Sequence, residues 1–302
     1  MLQSGYDGRP LLYGTDLQVL NYLFAVHDLI PKEHRTGVRQ AFERVSYYGA
    51  RVRSGRDVFT EIEIETNTNC NRKCRICPRQ KHEREVGFMP ADLYSHLLDQ
   101  LASMKFRGRF SPVFYNEPLM DTRLAGLMRE AKTKLPKTNI VVFTNGSLLT
   151  QENIEALVAA GVDTLLVSQY EGNLRADEEP YLDAVKHLSE DVRRKIRYRT
   201  LGDEDFLSSS GGLVRVKKPV TKTRCIQASQ SCVVDFRGDV VLCCNDYYGK
   251  HTFGNVRDEH ILDIWNKPHF VKLRKELRHG DFQLEICKTC AAGGAPASKE
   301  KT

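Results

Sequence analysis

Val58-Phe59-Thr60-Glu61-Ile62-Glu63-Ile64-Glu65-Thr66-Asn67-Thr68-Asn69-Cys70-Asn71-Arg72-Lys73-Cys74-Arg75-Ile76-Cys77 is the stretch on which the reading of this chain turns. Phe59 to Glu65 alternates apolar and polar side chains, the period of a half-buried strand. The cysteines that follow are spaced C-x3-C-x2-C. Three thiolates on one short loop converge on a metal or an iron–sulfur cluster. A structural zinc site wants a fourth ligand, whereas three leave a coordination position open.

Outward from this stretch, strands and helices alternate. Phe110 to Tyr115, Ile140 to Thr144, Thr164 to Gln169 and Lys195 to Thr200 are short runs of β-branched or aromatic residues. Amphipathic helices are expected between them, over Ala91 to Phe106 with a stripe of Leu93, Leu97, Leu98, Leu101 and Met104, and over Gln151 to Ala160, closed by Gly161. Regular alternation implies an α/β fold with a parallel sheet, whose ligands bind at the C-terminal strand ends. Before it, Thr15 and Pro31 bracket one expected helix and Gly49 closes a second. After Ser208-Ser209-Ser210-Gly211-Gly212 the alternation stops. Val233 to Phe236 and Asp239 to Leu242, joined across Arg237-Gly238, predict a β-hairpin, and a helix from about Glu259 to Leu277 is expected next.

The 302 residues, 41% of them apolar, suffice for roughly two domains at about 150 residues each. The balance of 45 basic and 39 acidic residues, +6, is too mild for a dedicated nucleic-acid binder, so no nucleic-acid partner is expected. No apolar run approaches the roughly 18 residues of a membrane span. Nine cysteines behind an N-terminus with no secretory pattern argue against a disulfide framework, and a soluble protein of the reducing cytoplasm is expected. Three cysteines lie at 70, 74 and 77; the other six, Cys225, Cys232, Cys243, Cys244, Cys287 and Cys290, fall in the last quarter, which suggests two separate sites.

The C-x3-C-x2-C loop after a first strand resembles the radical SAM superfamily. Tyr115-Asn116-Glu117-Pro118 is similar to that family's Gly-Gly-Glu-Pro segment, and Thr144-Asn145-Gly146 ends the third strand as a similar segment does in many members. The resemblance implies a partial (β/α)6 TIM-like barrel over 58–215, with a helical N-terminal extension over 1–57 and a small auxiliary-cluster domain of the SPASM type, in its abbreviated "twitch" form, over 216–302. It implies that Cys70, Cys74 and Cys77 hold a [4Fe–4S] cluster whose open iron binds S-adenosylmethionine (SAM). Contacts to SAM then fall to Ile76, where members usually carry an aromatic, and to Asn116, Glu117, Pro118, Thr144, Asn145, Ser168 and Arg199. Cys225, Cys243, Cys287 and Cys290 are implied as ligands of one auxiliary [4Fe–4S] cluster, with Asp263-Ile264-Trp265 also typical of that domain. A zinc ribbon is the structural alternative for these four.

Over residues 59 to 290 the chain looks most like members from aminoglycoside pathways, an aminocyclitol dehydrogenase and a sugar epimerase among them. The implied substrate is a carbohydrate, aminocyclitol or aminoglycoside, and the implied reductant a flavodoxin or ferredoxin type. The likeness assigns Glu63 and Tyr115 to the substrate side, while Glu61 is read as part of a solvated face. Two departures from the dehydrogenase pattern are Ser210, where an Arg precedes Gly-Gly, and Phe143, where a Tyr precedes Thr-Asn-Gly. With the proton acceptor thus missing, the expected reaction is epimerisation of a ring carbon. Strand alternation past Cys243 would turn Cys244 to the opposite face as hydrogen-atom donor; an inert buried thiol or an alternative ligand to Cys243 are the other readings of Cys244. Dehydrogenation of a secondary alcohol and modification of a ribosomal peptide are the alternative activities.

Overall fold

The computed structural model describes residues 58–170, 181–201, 208–217 and 219–294. The helical extension expected over 1–57 lies outside them. Eight strands form one sheet: β1 (Glu61–Ile64), β2 (Arg109–Ser111), β3 (Asn139–Thr144), β4 (Thr164–Tyr170), β5 (Ile196–Leu201), β6 (Ser231–Val234), β7 (Asp239–Val241) and β8 (Thr252–Asn255), in the order β5-β4-β3-β2-β1-β6-β7-β8. β1 to β5 are parallel neighbours, as the alternation predicts. The sixth parallel strand does not follow β5 in that series. β6 comes from the C-terminal segment and pairs with the other side of β1, Glu63 lying opposite Val233 as well as Ser111. The predicted hairpin is thereby built into the sheet, β7 and β8 continuing it antiparallel.

The helices α1 (Ala91–Ser103), α2 (Leu124–Lys134) and α3 (Gln151–Ala159) connect the first strands. α1 buries the expected stripe of Leu93, Leu97, Leu98 and Leu101. α3 starts at a reciprocal cap, Thr150 Oγ1 accepting from the Asn153 N–H and Asn153 Oδ1 from the Thr150 N–H. Two expectations are corrected. β2 is three residues long, because Pro112 has no N–H to continue the ladder. The long C-terminal helix is two, α4 (Ile261–Trp265) and α5 (Pro268–His279), with Pro268 opening the second; α5 stops at Gly280, φ 87°.

One apolar core runs under the sheet and takes in Ile62, Ile64, Cys232 and Trp265 together. Cys232 is thus a buried hydrophobe. The Trp265 ring lies 5.1 Å from that of Phe59 and 5.2 Å from that of Phe270, so α4 and α5 close the same core that β1 opens. Trp265→Ala should therefore cost about 3–5 kcal/mol by the cavity it leaves. Anaerobic urea unfolding followed by far-UV circular dichroism checks this, and a loss under about 1 kcal/mol would show that α4 is not part of the common core.

Candidate active site

Because Ile62 and Ile64 face the core, Glu61 and Glu63 project to the other face of β1, and Glu65 follows directly after the strand. The chain then turns into the three-cysteine loop. The Cys77 N–H donates to the Cys74 carbonyl at 3.0 Å, and the loop is tied to its neighbour where the Glu117 N–H donates to the Asn69 carbonyl at 2.7 Å. Arg79 donates to the Thr68 carbonyl from below. All three thiols are half-buried. Burial pushes the Cys74 thiol up to about 11, and Cys70 and Cys77, which line the same cavity, add to the rise. A cavity of about 230 Å³ opens against them, with Ile76, Tyr115, Phe143 and Ser168 in its wall.

Asn116, Glu117, Thr144 and Asn145 also line that cavity. Their hydrogen bonds show how it is held open. Glu117 Oε2 accepts from the Asn145 N–H at 2.7 Å, and its Oε1 from the Thr144 hydroxyl at 2.7 Å and the Leu119 N–H at 3.1 Å. One buried carboxylate thus fastens the end of β3 to the segment after β2. Asn145 Nδ2 donates to Asn71 Oδ1 at 2.9 Å, tying the cysteine loop to the same end. Pro118 opens the short turn that the Glu117 side chain caps. Arg199 Nε donates to Ser168 Oγ at 2.8 Å, across the β4–β5 pairing.

Glu63 stands outside that wall, one contact removed. Arg109, opposite Glu61 on β2, reaches both carboxylates: it bonds Glu61 and lies 3.3 Å from Glu63 Oε1. The same guanidinium sits over the Phe143 ring at 5.4 Å and donates to Ser111 Oγ at 2.9 Å. Glu61 is therefore paired rather than merely solvated, a partner sequence reading missed although Arg109 is the one charge in a short buried strand. Burial raises the Glu63 carboxyl against the opposing effect of Arg109. Glu65 is fully buried and bonds Arg84, whose guanidinium lies between the Phe114 and Tyr247 rings at 5.2 and 5.3 Å.

The C-terminal thiols gather in a second group. Cys243 is flanked by Cys244, Cys225 and Cys287, and Cys287 by Cys225 and Cys290; burial is the chief cause that raises the Cys243 and Cys287 thiols. The premise that alternation turns Cys244 away does not hold: β7 ends at Val241, and Cys243 and Cys244 belong to the turn beyond it. Cys244 senses Cys225 and Cys290 on one side and Glu63 on the other. Tyr115 shares the cavity wall with the first group, lies within electrostatic reach of Cys77, Cys243 and Cys244, and has a hydrogen bond to Ser210. Among the described residues no three His, Cys, Asp or Glu side chains are close enough to embrace one metal ion.

The sequence profile of the radical SAM superfamily matches residues 64–209. That of an iron-sulfur cluster-binding domain, SPASM, matches 225–291. The S-adenosyl-L-methionine-dependent 2-deoxy-scyllo-inosamine dehydrogenase of Niallia circulans is 32% identical over 237 residues, 77% of this chain and 93% of that protein. This chain belongs to the radical SAM superfamily. The crystal structure of BtrN in complex with AdoMet and 2-DOIA superposes with a TM-score of 0.70 at 31% identity, over 77% of this chain and 93% of that one. A tungsten-containing aldehyde ferredoxin oxidoreductase cofactor-modifying protein of Pyrococcus furiosus is 32% identical over 113 residues, 35% of this chain and 30% of its own. As a radical SAM enzyme with a SPASM domain, the chain uses SAM and two [4Fe–4S] clusters. The two thiol groups and the open cavity beside the first fit them. Among the described residues no helix is long and apolar enough to cross a membrane.

The buried Glu65 gives stability a pH dependence. Burial outweighs Arg84 and lifts its carboxyl from 4.5 to about 7. In that window the folded state holds a proton the unfolded state has lost, so stability present below about 4.5 declines as pH rises and the loss is complete above about 7. Urea unfolding of the cluster-loaded protein should show this chain losing on the order of 3 kcal/mol more than Glu65→Gln between pH 4.5 and pH 7.5. Parallel pH profiles for the two proteins would place the Glu65 titration elsewhere.

Proposed function

We propose that this radical SAM enzyme oxidises a secondary alcohol of an aminocyclitol or aminosugar to a ketone. The observation that carries the reading is that Tyr115 lies within reach of both thiol groups, in a chain similar over 77% of its length to a 2-deoxy-scyllo-inosamine dehydrogenase. Cys70, Cys74 and Cys77 are assigned as ligands of the SAM-binding cluster, and Cys225, Cys243, Cys287 and Cys290 as ligands of the auxiliary cluster. Ile76, Asn116, Glu117, Pro118, Thr144, Asn145, Ser168 and Arg199 are assigned to SAM, a reading supported by the cavity that Asn116, Thr144, Asn145 and Ser168 share with the first thiols. When bound, these groups supply a 5′-deoxyadenosyl radical that takes a hydrogen atom from a ring carbon and, at the auxiliary cluster, an electron acceptor. A flavodoxin- or ferredoxin-type protein is the proposed reductant.

The chain's own residues orient the substrate. Glu61 and Glu63 share one guanidinium, so the trio carries one net negative charge when both carboxyls are ionised, the complement of one substrate ammonium. Burial keeps the Tyr115 phenol protonated, able to donate to a substrate oxygen. Ser210 occupies the place of the dehydrogenase arginine and is spent on Tyr115. The proton of the reacting hydroxyl is left to Glu63, a buried carboxylate with raised proton affinity.

Epimerisation is the second reading, and Cys244 supports it: burial holds that thiol as S–H, within the field of Glu63. The test is the product mass when the anaerobically reconstituted, reduced enzyme acts with SAM on a panel of aminocyclitols and aminoglycosides in deuterated water. Loss of two hydrogens is expected, with ketone formation by Cys244→Ala retained within about tenfold of the parent, a shift of about 1.4 kcal/mol. Gain of one non-exchanging deuterium with no other mass change, abolished in Cys244→Ala while deoxyadenosine still forms, would overturn dehydrogenation in favour of epimerisation.

A further inference from the structure

The second thiol group holds a cation that the proposed reaction leaves unused. Lys222 Nζ lies 3.6 Å from Cys290 Sγ. Its backbone is anchored at the same place, the Lys222 N–H donating at 2.8 Å to the carbonyl of Ala291, the last residue of the helix α6 (Glu285–Ala291) that carries Cys287 and Cys290. Asn245 Nδ2 approaches the same sulfur at 3.5 Å, while its Oδ1 accepts from the Ser208 hydroxyl at 2.7 Å. Cys290 thus meets two N–H donors, one of them charged. The Lys222 side chain is half-buried, so its field is less screened than that of a surface lysine, and Cys225 and Cys244 feel it as well.

A positive charge and N–H···S bonds at a cluster ligand stabilise the reduced, more negative state of the cluster. We infer that Lys222, seconded by Asn245, raises the reduction potential of the auxiliary [4Fe–4S] cluster and so suits it to accept the electron that leaves the substrate. The inference rests on the proposed assignment of Cys225, Cys243, Cys287 and Cys290 as its ligands. The balance is that of alcohol oxidation: the carbinol carbon gives one hydrogen atom to the 5′-deoxyadenosyl radical, its hydroxyl gives a proton to a base, and the remaining electron reduces the oxidised auxiliary cluster by one. Lys222 touches neither substrate nor reacting atoms. It is a positioning residue that acts through Cys290.

The test is a redox titration followed by electron paramagnetic resonance, on the full-length chain carrying Cys70→Ala, Cys74→Ala and Cys77→Ala so that only the auxiliary cluster contributes. Lys222→Gln should lower the midpoint potential, Lys222→Arg should keep it near the parent value, and Asn245→Ala should lower it by less. An unchanged midpoint in Lys222→Gln overturns the inference, as does an equal fall in Lys222→Arg. Should Lys222→Gln fail to hold iron, Asn245→Ala decides: a fall supports the inference and no change overturns it. Absence of about four irons per chain before Lys222 is altered would instead overturn the ligand assignment.

Discussion

Two carboxylates on one face of a four-residue strand, and a third directly after it, are what the rest of this molecule must accommodate. Alternation places Glu61 and Glu63 on the side of β1 away from the apolar core, Glu65 follows at the strand's end, and the three are buried to different depths. A buried charge without a partner is too costly to keep. Glu61 and Glu63 are answered by Arg109, which the parallel register sets directly opposite Glu61. Glu65 is answered from further along the chain by Arg84. That second pair does more than neutralise. It draws the segment after the cysteine loop back onto β1 and sets the guanidinium against Phe114 and Tyr247, and the Tyr247 ring in turn lies 4.8 Å from that of Tyr115. The cysteine loop, the aromatic within reach of both thiol groups and the C-terminal turn are thus all located relative to one strand.

The other side of β1 has the complementary role. Because β6 pairs there in parallel, the C-terminal segment shares the barrel's core through Cys232 and Trp265 instead of resting on its surface. Cys232 lies opposite Ile62, one position from Glu63. The turn after β7 then carries Cys243 and Cys244 within reach of Tyr115, and Cys244 within reach of Glu63. Two thiol groups separated by more than 140 residues of sequence come within reach of one tyrosine because a single strand has neighbours on both sides.

What was legible in the sequence is what is local. The alternation of β1, the three-cysteine loop and the leucine stripe of α1 each depend on residues a few positions apart. The break between α4 and α5 was equally local, since Lys267-Pro268 announces it, and an apolar pattern continuing past the proline hid it. The pairing of β6 with β1 was not legible, because register between strands about 170 residues apart leaves no mark in either strand's own period. The same limit explains Arg109, whose carboxylate partners lie on another strand. The reading of Cys244 rested on alternation, which holds only while the strand lasts, and β7 ends two residues before Cys243.

The direction of electron flow separates the two activities proposed for this site. Dehydrogenation delivers an electron to the auxiliary cluster, whereas epimerisation with a cysteine donor draws one from it to restore the thiol. A cation and a second N–H donor on Cys290 favour the reduced cluster and therefore delivery. The placement of Cys244 bears on the same choice. A thiol that senses Cys225 and Cys290 as well as Glu63 is divided between the cluster side and the substrate side, whereas a dedicated hydrogen donor needs its S–H aimed at the substrate carbon. Ser210 in place of an arginine was the strongest argument for a redox-neutral reaction, since it removes the expected proton acceptor. Glu63 weakens that argument, because a carboxylate raised by burial, one contact from the cavity wall, provides the proton affinity that the arginine position lacks.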